Sequence, residues 1–142
     1  MVPANGGGQA RAPYYTKMPP DVIRLVVPAS RDSLGVLRTI AANAARLSGF
    51  GYDRVEEARL AVNEAAAVLV SDGQSSSLRC ELWSESTKLR VELIAEPGPS
   101  QWPPPGWTES LEHAVLSTVA EWFELGIGND TRIRILLGQD DA

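Results

Sequence analysis

A chain of 142 residues, 44% hydrophobic and 22% charged, is long enough for one domain with a real core and too short for two ordinary ones. Its net charge is −5, and the first twenty residues hold only the cations Arg11 and Lys17, so the body is more acidic than the whole. That balance argues against direct nucleic-acid binding, whose affinity comes mainly from neutralised phosphates, and favours a partner with a basic surface. Cys80 is the single cysteine, which excludes an internal disulfide and a cysteine-rich zinc site. No apolar run approaches the roughly 18 residues of a membrane helix. The start of the chain does not read as a signal peptide, so a cytoplasmic location without membrane association is expected.

Residues 1–20, MVPANGGGQARAPYYTKMPP, lack periodicity and read as a disordered N-terminal tail. Order is expected from Asp21. Ile23, Leu25 and Val27 alternate with Arg24 and Val26 as in a half-buried strand that Pro28 closes. A helix is predicted over about 32–47 with a stripe of Leu34, Leu37, Ala41, Ala44 and Leu47, ended by Ser48-Gly49. Arg31, Arg38 and Asn43 fall off that stripe.

Asp53-Arg54-Val55-Glu56 has the spacing of a capping box, with Asp53 as N-cap. The helix it opens is expected to reach about Val70, burying Val55, Ala58, Val62, Ala65 and Leu69. Glu64 stacks with Leu60 and Val68 on a neighbouring line, four residues apart. A carboxylate in the apolar middle of a helix is the most informative residue of the chain. Taken alone it reads as a partly exposed helix glutamate.

Two strands follow, with Leu78, Cys80 and Leu82 on one side and then Leu89, Val91 and Leu93. Residues 97–105, PGPSQWPPP, hold five of the ten prolines and can be neither helix nor central strand. A third helix is predicted over about 109–122 with Leu111, Val115, Thr118 and Trp122 on one side. Strands at 124–127 and 131–137 bracket the turn Gly128-Asn129-Asp130. The order β-α-α-β-β-α-β-β predicts an α/β two-layer sandwich, a mixed and mostly antiparallel sheet with helices on one face, over residues 21–138. Residues 139–142 form a C-terminal tail.

The stretches Val36-Leu37-Arg38-Thr39-Ile40, Arg46-Leu47-Ser48-Gly49, Tyr52-Asp53 and Leu60-Ala61-Val62-Asn63-Glu64-Ala65 resemble anti-sigma factors of the RsbW type. These are small serine kinases with the GHKL ATPase fold, and the resemblance covers nearly the whole ordered chain. Active members carry Glu-x-x-x-Asn on this helix, where i and i+4 point into one cleft. The resemblance makes Glu64 the catalytic residue of such a kinase, orienting or deprotonating the attacking hydroxyl. The amide that would hold Mg²⁺ against the phosphates of ATP is Val68 here, which offers a hard cation no oxygen. The family's Asp-x-Gly-x-Gly nucleotide motif is represented by Glu96-Pro97-Gly98-Pro99-Ser100, leaving Glu96 and Gly98 as a degenerate cofactor-binding pair. Trp102-Pro103-Pro104-Pro105-Gly106-Trp107 stands where a Gly-rich lid closes over phosphates.

With three departures in nucleotide contacts, the resemblance implies an anti-sigma factor that acts by binding, without a cofactor or metal. Its partners would be an RNA polymerase sigma factor and an STAS-domain anti-anti-sigma factor competing for one surface. Arg38 matches an arginine used in that contact; Arg31, Trp102 and Trp107 are further candidates, the tryptophans alternatively filling the vacated cleft. The alternatives are an active serine kinase using ATP and Mg²⁺, and a sensor of another small molecule. A homodimer is a further expectation from the family. His113, the lone histidine, has no triad or metal constellation in sequence and reads as structural or surface.

Overall fold

The computed structural model describes residues 21–138; the tails assigned to residues 1–20 and 139–142 lie outside them. The elements are β1 (Ile23–Pro28), a 3₁₀ turn (Arg31–Ser33), α1 (Leu34–Leu47), α2 (Tyr52–Val70), β2 (Ser77–Glu85) and β3 (Lys88–Glu96). A second 3₁₀ turn (Trp107–Glu109), α3 (Leu111–Val119), β4 (Trp122–Leu125) and β5 (Arg132–Gly138) complete the order. The sheet order is β1-β2-β3-β5-β4, and all four pairings are antiparallel. The α/β two-layer sandwich expected from the sequence is therefore present, with a sheet antiparallel throughout its described pairings.

Alternation decides the two faces of the sheet. Leu78, Cys80 and Leu82 of β2, Leu89, Val91 and Leu93 of β3, and Ile133, Ile135 and Leu137 of β5 enter one core with the helices. Alanines make the helix layer tight. Ala41, Ala42, Ala44 and Ala45 of α1 and Ala58, Ala61, Ala65 and Ala66 of α2 are all buried, and so little side-chain bulk lets the two helices approach closely. The opposite face carries charge pairs across strands: Arg24 donates to Glu81 at 2.7 Å and Arg134 to Glu92 at 2.7 Å.

Local details depart from the sequence reading at the end of α1, at the start of α2 and around α3. Leu47 is 75% exposed. The buried rhythm 34, 37, 41, 44 continues to position 48, so Leu47 falls beside it, and left-handed Gly49 (φ 89°) ends the helix there. Asp53 does not cap α2: Gly51 is the N-cap and makes no side-chain cap bond. Asp53 instead lies in the first turn, where its charge suits the helix dipole.

The third helix is shorter than predicted. Ser110 caps it, its Oγ accepting from the His113 amide at 3.1 Å, and it ends at Val119. Trp122 is captured by β4, where it pairs with Leu136, and does not belong to a helical stripe. The buried side of α3 is Leu116 and Val119, while Leu111 is 71% exposed.

Candidate functional site

The middle of α2 faces α1 across a polar contact that links three residues. Arg38 Nη1 donates to Asn63 Oδ1 at 2.6 Å, and Asn63 Nδ2 donates to Glu64 Oε2 at 3.2 Å. All three side chains are half-buried. Asn63 thus uses both ends of its amide, accepting from a cation and donating to a carboxylate. The bond from a guanidinium is the stronger kind because the donor is charged. Glu64 and Arg38, singled out separately in the sequence, are brought to one place by a residue that was not. Asparagine in a helix interior is a poor helix former, and that was the available signal. Arg31 sits two turns earlier and is exposed.

One turn beyond Glu64, Val68 is 5% exposed and lines a small cleft with Ser71, Pro104, Pro105, Trp107, Ser110 and Glu112. Its volume is about 160 Å³, below the roughly 300–1,000 Å³ of ordinary small-molecule sites. The proline loop forms one wall. Trp102 anchors that loop by donating from Nε1 to the Gly126 carbonyl at 2.9 Å, and Trp107 packs edge-on against His113 and Phe123, at 5.1 and 6.3 Å between ring centres. Both tryptophans are half-buried and pack against the core. His113 completes this aromatic cluster, 5.5 Å from Phe123, with Ser117 Oγ 3.4 Å from its Nδ1.

Glu96 is the last residue of β3, and Gly98 stands in the loop that follows it. Glu96 is exposed, and its backbone carbonyl accepts from the Ser76 amide at 3.0 Å. A Cβ on Gly98 would overlap the side chain of Thr131, itself 8% exposed and donating from Oγ1 to the Ala95 carbonyl at 3.0 Å. Gly98 therefore serves close packing within the chain.

Ser100 is fixed from the far end of α2. Asp72 Oδ2 accepts from the Ser100 amide at 2.8 Å and from its hydroxyl at 2.9 Å, while Asp72 Oδ1 accepts from Gln74 N at 3.1 Å. The Ser100 amide, then that of Gln74, holds the Asp72 carboxyl below its ordinary value. Neither this latch nor the Thr131 contact was legible in the sequence, because each joins residues about 30 positions apart.

An open, polar cavity of about 400 Å³ adjoins the same loop, lined by Gly98, Pro99, Ser100, Trp102, Gly128, Asn129 and Thr131. Among the described residues no group of three or more His, Cys, Asp or Glu could hold a metal ion. No described helix is long and apolar enough to cross a membrane.

The chain is 30% identical over 79 residues to a serine-protein kinase RsbW from Halalkalibacterium halodurans. The aligned part is 53% of this chain and spans only 46% of that protein. No protein-family model matches the chain. The fold and this partial similarity agree with the resemblance drawn from the residues around Glu64.

Proposed function

We propose that this protein is an anti-sigma factor of the RsbW type that works by binding and has lost efficient kinase chemistry. It sequesters an alternative RNA polymerase sigma factor, and an STAS-domain anti-anti-sigma factor competes for the same surface. Sigma is released when the antagonist's affinity and concentration together outweigh its own.

The observation that carries this reading is Val68, buried at the wall of a cleft of about 160 Å³ one turn from Glu64. A serine kinase needs a nucleotide and Mg²⁺ at that wall, and phosphoryl transfer depends on the metal to neutralise developing charge. Loss of that ligand costs a few kcal/mol of transition-state stabilisation, which is several orders of magnitude in rate. Cytoplasmic location and Arg38 as the centre of the binding surface belong to the same proposal. Arg31, Trp102 and Trp107 are its further contact candidates, each near an edge of the helix layer or the proline loop.

The experiment is capture of partners on the full chain from lysate of its own cells, followed by competition with the purified candidates. A sigma factor and an STAS-domain protein that displace one another are expected, with no heat of ATP binding in titration with Mg²⁺. Micromolar ATP binding, or phosphorylation of the STAS protein, would replace this reading with that of a working kinase.

A further inference from the structure

The small cleft under the proline loop has apolar walls and one uncommitted polar group. Val68, Pro104, Pro105 and Trp107 make the walls. Ser71 and Ser110 also line it, but their hydroxyl protons are spent on the chain itself. Ser71 Oγ donates to the Val68 carbonyl at 3.0 Å, and Ser110 Oγ to the Trp107 carbonyl at 2.7 Å.

Glu112 remains. It lines the same cleft and is half-buried, and its carboxylate has no hydrogen-bond or ion-pair partner among the described residues. A carboxylate held against apolar walls without a partner is costly. Neighbouring acids are already engaged: Asp72 accepts from Ser100, and Glu109 accepts from Thr108 Oγ1 at 2.6 Å. The surrounding chain supplies no cation. Residues 60–78 and 91–131, which build both sides of the cleft, contain no lysine or arginine.

We infer that this cleft is a socket for an arginine side chain presented by a protein partner. The methylenes of that side chain lie on Val68 and the two prolines. Its guanidinium stacks on the Trp107 indole and donates to the Glu112 carboxylate. Arginine suits the place better than lysine, because its planar head is more weakly hydrated and stacks on aromatic rings.

Size and charge exclude the other occupants. The volume of about 160 Å³ equals roughly five waters at ~30 Å³ each, which is room for one long side chain. An anion would meet Glu112 and find neither a cation nor an unspent hydroxyl proton in the lining. For the same reason nothing there receives the α-carboxylate of a free amino acid, which favours an arginine built into a chain. The inference goes beyond the binding reading above, since it names the side chain that fits whichever protein carries it.

The test follows the Trp107 indole N–H resonance of the full chain during titration with N-acetyl-arginine N-methylamide. This probe has the side chain and peptide groups of a protein arginine and no free terminus. A saturating shift of Trp107 is expected, with the indoles of Trp83 and Trp122 unmoved. The leucine and glutamate versions of the probe should give no saturating shift. Glu112→Gln keeps the size of the side chain, removes its charge and breaks no bond within the described chain. It should weaken binding of the arginine probe about fivefold or more.

An equal response to the leucine probe, no saturation with any probe, or unchanged affinity in Glu112→Gln overturns the proposal. Tighter binding of free arginine than of the blocked residue also overturns it, and gives the cleft to the free amino acid. A failed socket leaves the anti-sigma reading standing, and absence of a sigma factor among captured partners leaves the socket standing, so the two fail separately.

Discussion

Arg38 of the first helix and Asn63 of the second are joined by a 2.6 Å hydrogen bond across 25 positions of sequence, and Asn63 passes the contact on to Glu64. The bond fixes one arm of the guanidinium, Nη1, against the amide oxygen. A cation held in this way loses less entropy when a carboxylate docks on it.

Under the proposed function, Arg38→Ala weakens sigma-factor binding at least tenfold, about 1.4 kcal/mol. Asn63→Ala leaves the charge and removes only its alignment, so its loss is smaller. It also costs about 0.5–1.5 kcal/mol of stability through the missing bond. A double-mutant cycle by titration calorimetry measures the coupling. Unchanged affinity in Arg38→Ala removes the residue from the binding surface.

Val68→Asn restores the family's amide without its surroundings. The side chain enters a wall formed by Pro104, Pro105 and Trp107, and at 5% exposure water does not satisfy it. An unpartnered buried amide costs about 1–3 kcal/mol. For a chain of this size the melting temperature should fall by roughly 3–10 °C. Titration with ATP and Mg²⁺ should still show no binding, because the cleft itself is too small. Appearance of ATP binding in this variant would show that the proline loop moves aside readily.

The sheet was legible because its signal is local. Leu78, Cys80 and Leu82 alternate within five residues, and the structure puts all three at 0–1% exposure. The α2 stripe was legible for the same reason. The third helix was misjudged because Trp122 satisfies a helical period and a strand equally well, and only its pairing with Leu136 decides between them. The site divides the same way. Glu64 and Val68 stand out from one helix's own pattern, whereas Asn63, Asp72 and Thr131 act on residues that the fold brings from elsewhere.

Gly98→Ala tests whether the surviving glycine of the degenerate motif serves the fold. The new methyl would meet the Thr131 side chain and leave it no room, and Thr131 cannot turn away without giving up its bond to the Ala95 carbonyl. Overpacking of this kind costs about 1–3 kcal/mol. Urea unfolding should show a lower midpoint with the same slope. An unaltered midpoint would mean that the loop after β3 yields without cost.

Cys80 is held in its thiol form. Burial, and then the neighbouring Glu81 carboxylate, push its pKa up from 9.0 to about 12. The native protein at pH 8 should therefore resist a disulfide reagent that reacts at once in denaturant. Because the folded value is the higher one, the stabilisation is complete below about pH 9 and is lost as pH rises toward 12. Rapid native-state labelling at pH 8 would show that β2 opens locally.

Asp72 gives the opposite sign at the acid end. Hydrogen bonds from the Ser100 amide, then the Gln74 amide, hold its carboxyl below the ordinary 3.8. A depressed folded value means that the latch is complete above 3.8 and is lost as pH falls through the lower folded value. The Ser100 amide resonance should accordingly titrate with a midpoint below 3.8, and the proline loop should loosen together with it. In Asp72→Asn that titration should vanish, since the neutral amide accepts more weakly and cannot be protonated in this range. A Ser100 midpoint at or above 3.8 in the wild-type chain would mean that the latch is not closed in solution, and the wall it braces beside the small cleft would be free to move.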